Sequence, residues 1–182
     1  MNRKIVLCGF MGSGKSHIGR LVAEKLGLKF YDLDTLIQKD QGLRIAEIFS
    51  NYGESKFREI ERSLLLSNLG DEQRILSLGG GSLSDQNIVD LIKSENILIF
   101  ISPPLDEIVK RIHGKKKRPL VMDESGQPKS INQLKIDLKA LYDQRYVYYS
   151  QANIILQTDP EWDPIRSAEE LISLLKKFDE TV

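Results

Sequence analysis

The 182-residue chain has a single cysteine, Cys8. No internal disulfide is possible, which suits a reducing compartment. Cys8 sits inside a short apolar run and reads as a small buried hydrophobe rather than a catalytic thiol. Charge of one sign is also missing: 26 Lys and Arg stand against 26 Asp and Glu. That balance argues against bulk nucleic-acid binding. No apolar run approaches the length of a membrane span, and a strand-like segment stands where a signal peptide would carry its apolar region. Internal repeats and low-complexity tracts are absent. These absences predict a soluble cytoplasmic protein, and the length suits one domain, 1–182, with a real core.

What is present is concentrated near the start. Ile5 to Cys8 reads as a buried strand, broken at Gly9, and the chain then runs Gly9-x-x-x-x-Gly14-Lys15-Ser16 into an amphipathic helix. This is the P-loop pattern with a strand before it and a helix after it. Its glycines let the backbone curl until successive N–H groups point at phosphate oxygens, and the helix N-terminus adds partial positive charge. Lys15 is placed to reach the β and γ phosphates, and Ser16 to hold Mg²⁺. Four fixed positions of these residue types arise by chance in roughly one chain of this length per hundred or fewer. The pattern therefore predicts a nucleoside triphosphate site.

Helical spacing predicts a first helix from about Lys15 to Leu26 with Gly27 as its stop. A strand over Lys29 to Leu33 follows. It ends in Asp32-Leu33-Asp34, whose carboxylates, two apart on a strand, would point to one side. Such a pair suits Mg²⁺ held through water or a proton taken from a hydroxyl; the competing reading is that Asp34 only caps the next helix. Residues 35–69 read as helical, punctuated by Gly42 and Gly53, a natural place for a second substrate. Within them Arg58 and Glu61 are three apart. They are either a preorganised clamp for a substrate carboxylate or a surface ion pair, and the pattern by itself favours the surface pair.

Arg74 to Leu78 reads as a strand containing Ser77, with Gly79, Gly80 and Gly81 at its end, where ligands bind in open parallel sheets. Ser77 is either a second water-mediated Mg²⁺ contact or a small core hydroxyl. Further on come a helix near 85–94, a strand over Ile97 to Ile101, and a helix begun by Pro103 and Pro104 that runs to Ile112. The basic, aperiodic run from His113 through Lys115, Lys116, Lys117 and Arg118 to Pro119 admits three readings: a solvated charge run, a nucleic-acid patch and a lid over the γ-phosphate. Nucleic acid ranks last in a neutral protein, and in a lid Arg118 is the charge-stabilising arginine. Ser130 and Gln133 predict a capping box for a helix running to about Tyr142 or beyond, with Arg145 and the tyrosines 146, 148 and 149 at its end, the tyrosines reading as packing rather than stacking platforms. Asn153 to Gln157 is the last strand, and Asp163-Pro164 opens a closing helix anchored by Trp162.

Taken in this order, Gly9 to Ser16, Asp32-x-Asp34, Phe57-Arg58-x-x-Glu61, Leu76-Ser-Leu-Gly-Gly-Gly81, Arg118-Pro119-Leu120 and Arg145 resemble the shikimate kinase family over nearly the whole chain. The resemblance implies ATP- and Mg²⁺-dependent phosphorylation of the 3-hydroxyl of shikimate in aromatic amino-acid biosynthesis. It implies an α/β P-loop fold like that of nucleoside monophosphate kinases, a five-stranded parallel sheet flanked by helices. A substrate-binding region at about 33–62 and a mobile lid at about 113–127 go with it. Carried over by residue, Lys15, Asp34 and Arg118 would be catalytic. Gly12, Ser13, Gly14, Lys15, Ser16, His17, Arg111 and Arg118 would serve ATP, with Arg111 against adenine. Asp34, Arg58, Gly80, Gly81 and Arg145 would hold shikimate, and Ser16, with Asp32 and Ser77 through water, would hold Mg²⁺. A monomer acting on two small molecules, with no nucleic acid or membrane partner, is expected. Two departures stand near Arg145: Val147 where the family usually has proline, and a spacing to Ala152 one residue shorter. The competing readings are another small-metabolite kinase of the same fold, such as a gluconate kinase, and a kinase-like module that binds nucleotide without turnover.

Overall fold

Strand β1, Ile5–Cys8, is the axis of the molecule, and all four of its residues are buried. In the computed structural model, which describes residues 4–70, 74–115 and 119–181, these side chains alternate between two faces as strand geometry requires. Val6 and Cys8 join one apolar cluster with Leu76, Leu98 and Phe100, and Ile5 and Leu7 join the other with Ile75, Ile97 and Ile99. A sheet buried on both faces needs helices on both, which is why β1 is apolar throughout rather than alternating with polar residues.

The remaining elements follow in order: α1 (Lys15–Leu26), β2 (Lys29–Asp32), α2 (Leu33–Gln41), α3 (Ile45–Ser67), β3 (Arg74–Ser77), α4 (Gln86–Glu95), β4 (Ile97–Ser102), α5 (Leu105–Ile112), a 3₁₀ turn at Pro119–Val121, α6 (Ile131–Tyr149), β5 (Ile154–Gln157) and α7 (Pro164–Thr181). The five strands are parallel in the order β2-β3-β1-β4-β5. Helices α1 and α7 cover the face carrying Ile5 and Leu7, through Ile18, Val22, Ala168, Leu171 and Leu175. Residues of α2, α3, α4, α5 and α6 cover the other. With β1 central, the loop after it opens at the carboxyl edge between β3 and β4, where open α/β sheets bind ligands.

Several local expectations change. Leu33 does not end β2 but opens α2, because Asp32 caps that helix: its Oδ1 accepts from Thr35 N at 3.3 Å. Asp34 therefore stands in the first turn of α2, and the strand-alternation argument for its orientation fails. Helix α5 begins after Pro104, which is its cap and not within the helix. Ser130 accepts from Gln133 N at 3.2 Å, while the Gln133 amide turns away to Asp137, so only half of the expected capping box forms. α3 is kinked at Gly53, whose φ of 79° and ψ of 174° interrupt the helix. Residues 119–130 contain, besides the 3₁₀ turn, an antiparallel bridge between Met122 and Pro128. No helix among the described residues is long and apolar enough to cross a membrane.

Candidate active site

The loop between β1 and α1 is shaped by its glycines. Gly9 has φ +143° and Gly14 φ +94°, conformations that side chains rarely adopt, and a methyl group at Gly9 would lie 2.6 Å from the Ile101 carbonyl oxygen. Gly14 then caps α1, accepting from His17 N and Ile18 N at 3.0 Å each. Lys15 is buried and its Nζ donates back across the loop to the carbonyls of Gly9 at 2.7 Å and Phe10 at 3.0 Å. The ammonium is thereby held inside the curl of the loop, where phosphate oxygens would be received.

Strand register assembles the next group. Ser77 on β3 pairs with Leu7 on one side and Asp32 on the other. Ser16, in the first turn of α1, donates to Asp32 Oδ2 at 2.6 Å and lies 3.4 Å from Ser77 Oγ. One carboxylate and two hydroxyls in contact are hard oxygen donors. They fit Mg²⁺, which binds few protein groups and keeps phosphates and waters in its shell. A cage made by protein alone does not occur: among the described residues no three His, Cys, Asp or Glu cluster closely enough to hold a metal.

Lys15, Ser16 and Asp32 line a cavity of about 510 Å³ that also takes in Gly12, Asp34, Gly79, Gly80, Arg20 and Lys115. It shares Gly14, His17 and Arg111 with a smaller one of about 190 Å³, walled by Ser13, Thr158, Asp159, Trp162 and Pro164. The two form one trough with Arg111 at the junction. Thr158 and Asp159 do not stand out in the sequence, and Trp162 and Pro164 read there only as parts of a helix start. Their position just past the carboxyl end of β5 is the signal that finds them.

On the other side of the trough, three elements meet at the glycine turn after β3. A methyl group at Gly79 would lie 2.9 Å from Asp34 Oδ1; one at Gly80 would lie 3.5 Å from Arg145 Nη1. One at Gly81 would lie 2.9 Å from Arg58 Nη2 and 3.3 Å from Arg145 Nη2. Asp34, Arg58 and Arg145 are thus brought together over backbone that only glycine leaves open. Arg58 is not half of a surface pair. Its Nη1 donates to Glu61 Oε2 at 2.6 Å, and the Glu61 side chain is only 5% exposed. Glu61 Oε1 in turn accepts from Ser82 Oγ at 2.6 Å. Burial works against the Arg58 charge, but the carboxylates of Glu61 and Glu54 outweigh it and hold the guanidinium above its ordinary pKa. Arg145 lies over the Phe10 ring, 5.5 Å from its centroid. Tyr149 packs in the core as its reading as a packing residue requires, and its hydroxyl also donates to the Gly80 carbonyl. Arg118, Lys116 and Lys117 lie outside the described residues, and His17 is exposed at the trough's edge.

A P-loop, a hard-oxygen cluster beside it and a cationic pocket facing it across a glycine turn define a small-molecule phosphotransferase of the nucleoside monophosphate kinase-like fold. The comparisons narrow the class. The family profile described as shikimate kinase matches residues 11–176. A shikimate kinase of Persephonella marina is 34% identical over 174 residues, covering 96% of this chain and 99% of that one. The chain belongs to the shikimate kinase family. Two solved structures agree: the shikimate kinase of Bacteroides thetaiotaomicron, TM-score 0.84 at 28% identity over 96% of this chain and 98% of that one, and that of Acinetobacter baumannii in complex with shikimate, TM-score 0.84 at 27% over 96% and 93%. A gluconokinase of Sinorhizobium meliloti, at 17% identity and TM-score 0.54, shares the fold alone.

Proposed function

We propose that this chain transfers the γ-phosphate of ATP to the 3-hydroxyl of shikimate, with the nucleotide in the trough along the P-loop and shikimate on the glycine turn. The observation that carries this reading is the convergence of Arg58 and Arg145 on Gly81 opposite Asp34. A small polyhydroxylated acid needs cations for its carboxylate and a carboxylate for its hydroxyl.

In this reading Arg58 and Arg145 grip the carboxylate, with Glu61 holding Arg58 in one orientation, and the backbone of Gly80 and Gly81 meets the ring. Asp34 binds the reacting hydroxyl and accepts its proton. Lys15 leaves the loop carbonyls for the β and γ phosphates, and the amides of Gly12 to Ser16 cradle them. Ser16 would hold Mg²⁺, with Asp32 and Ser77 contributing through water; bound there, the ion would neutralise charge on the phosphates. Arg111 and the wall of Ser13, Thr158 and Pro164 enclose the base, with His17 at the rim. Positioning and charge neutralisation supply most of the catalysis in phosphoryl transfer. Excluding water matters because hydrolysis competes with transfer; the lid at 113–127, with Arg118 meeting the transferring phosphate, belongs to this proposal on the family resemblance. The chain works as a single domain, 1–182, with substrate held by 33–62, as a cytoplasmic monomer acting on small molecules rather than nucleic acid.

The test is ADP release from Mg·ATP with shikimate, against a blank and a panel of quinate, gluconate and nucleoside monophosphates. Strong turnover with shikimate alone is expected. Turnover with another panel member would keep the P-loop roles and remove those of Arg58 and Arg145. Nucleotide binding without turnover would replace the kinase reading by that of a binding module.

A further inference from the structure

A turn of three glycines has no side chains with which to hold itself in place. It nevertheless runs so close beneath Asp34, Arg58 and Arg145 that a methyl group added at Gly79, Gly80 or Gly81 would meet one of them within 3.5 Å. Its backbone closes with one long hydrogen bond, Ser82 N donating to the Gly79 carbonyl at 3.3 Å, and two side-chain fastenings add to it. Tyr149, the last residue of α6, is 1% exposed and sends its hydroxyl to the Gly80 carbonyl, 69 positions earlier in the chain. Ser82, 2% exposed, closes the far end of the turn by donating to Glu61 Oε1 at 2.6 Å.

We infer that the buried hydroxyls of Tyr149 and Ser82 are positioning groups for the acceptor pocket, fixing the glycine turn and the two guanidiniums in one geometry without touching the substrate. Each fastening is shared with an arginine. Ser82 holds the carboxylate that holds Arg58. Tyr149 lies four residues beyond Arg145 in the same helix, so one turn of α6 carries both the guanidinium and the hydroxyl that sets the backbone beneath it. The Tyr149 phenol is pushed upward by burial, against the opposing pull of the Arg145 charge, so it stays protonated and able to donate. Packing alone does not require the hydroxyl: the ring is already seated against Phe100, at 5.1 Å between centroids, and a phenylalanine would fill that space.

The inference rests on Arg58 and Arg145 being the carboxylate clamp, and its test separates the two. Tyr149→Phe and Ser82→Ala are each compared with the parent for binding of shikimate and of its uncharged methyl ester, and for steady-state constants. Each variant is expected to raise the dissociation constant and KM for shikimate about three- to tenfold, the range of one net hydrogen bond. Turnover number and KM for ATP should stay within about twofold, because a uniform loss of ground-state and transition-state binding appears in KM alone. Binding of the ester should not change. Combining Tyr149→Phe with Arg145→Lys should cost less than the sum of the two, since both act on one contact. Unchanged shikimate affinity in both variants overturns the inference. So does an equal loss for acid and ester, or a loss shared with ATP, which would mean general loosening. A parent that binds ester as tightly as acid overturns the clamp itself and the inference with it. Should Tyr149→Phe fail to fold, Ser82→Ala alone decides between these outcomes.

Discussion

The two halves of the site are built in opposite ways. The nucleotide half comes mainly from one stretch, Gly9 to Ser16, in which positive-φ glycines, a helix start and a lysine folded back on its own loop carbonyls are neighbours in sequence. The acceptor half comes from four places: Asp34 on α2, Arg58 on α3, the turn after β3 and Arg145 on α6. The first recognises phosphate largely through backbone, so its geometry is set by local dihedral angles. The second recognises a carboxylate and a hydroxyl through charged side chains, so it depends on how helices are docked and on buried partners such as Glu61. A backbone site tolerates change around it, whereas a side-chain site transmits any shift of the helices that carry it.

If this division holds, variants on one side should leave affinity for the other side's ligand alone. The largest effect is expected at Asp34→Asn. Transfer should fall about a hundred- to ten-thousandfold, the range of a lost general base, while ATP binding followed by fluorescence stays as in the parent; turnover near the parent's would remove Asp34 from the chemistry. Lys15→Met should lower kcat by about a hundred- to a thousandfold, as for other lost charge-stabilising donors, with shikimate affinity by calorimetry unaltered. A matching loss of shikimate affinity would break the division. Arg58→Ala should raise KM for shikimate about ten- to a hundredfold, from loss of charge-assisted hydrogen bonds, and leave KM for ATP in place; an unchanged shikimate KM would return Arg58 to a structural ion pair.

The smallest effect lies under the P-loop. Burial pushes the Cys8 thiol from its ordinary 9.0 up to about 12, against a lowering pull from Lys15. Native protein at pH 8 should therefore resist iodoacetamide and react fully once unfolded. Because the folded thiol holds its proton more tightly than the unfolded one, this group leaves stability unaffected below about pH 9 and erodes it from there toward pH 12. A Cys8→Val variant should show a shallower fall of the urea midpoint over that window, and an equal slope would mean that Cys8 plays no part.

Much of this architecture was legible before the fold was seen, and the exceptions are informative. The first helix runs Lys15–Leu26 with Gly27 in the left-handed conformation, as its spacing and terminal glycine required. The central strand β1 and its neighbour β4 stand out as apolar runs. Strand alternation does not place Asp34: Asp32 turns the chain into α2 one residue earlier than alternation assumes. Arg58 and Glu61 look like many surface pairs because an i,i+3 spacing says nothing about burial; Ser82, 21 positions further on, and the packing of α3 bury the carboxylate. The role of Tyr149 could not be read at all, since nothing near it in sequence points to Gly80.

The sequence by itself determined the P-loop, the secondary structure around it and the family, because glycine conformations, helix caps and the alternation of apolar residues are properties of neighbours along the chain. Only the tertiary structure decided which distant groups meet over the glycine turn. Sheet order places β3 beside β1 and leaves α3 and α6 to close over the end of β3. Contacts of that kind are fixed by the burial of whole helices, which no short stretch of residues encodes.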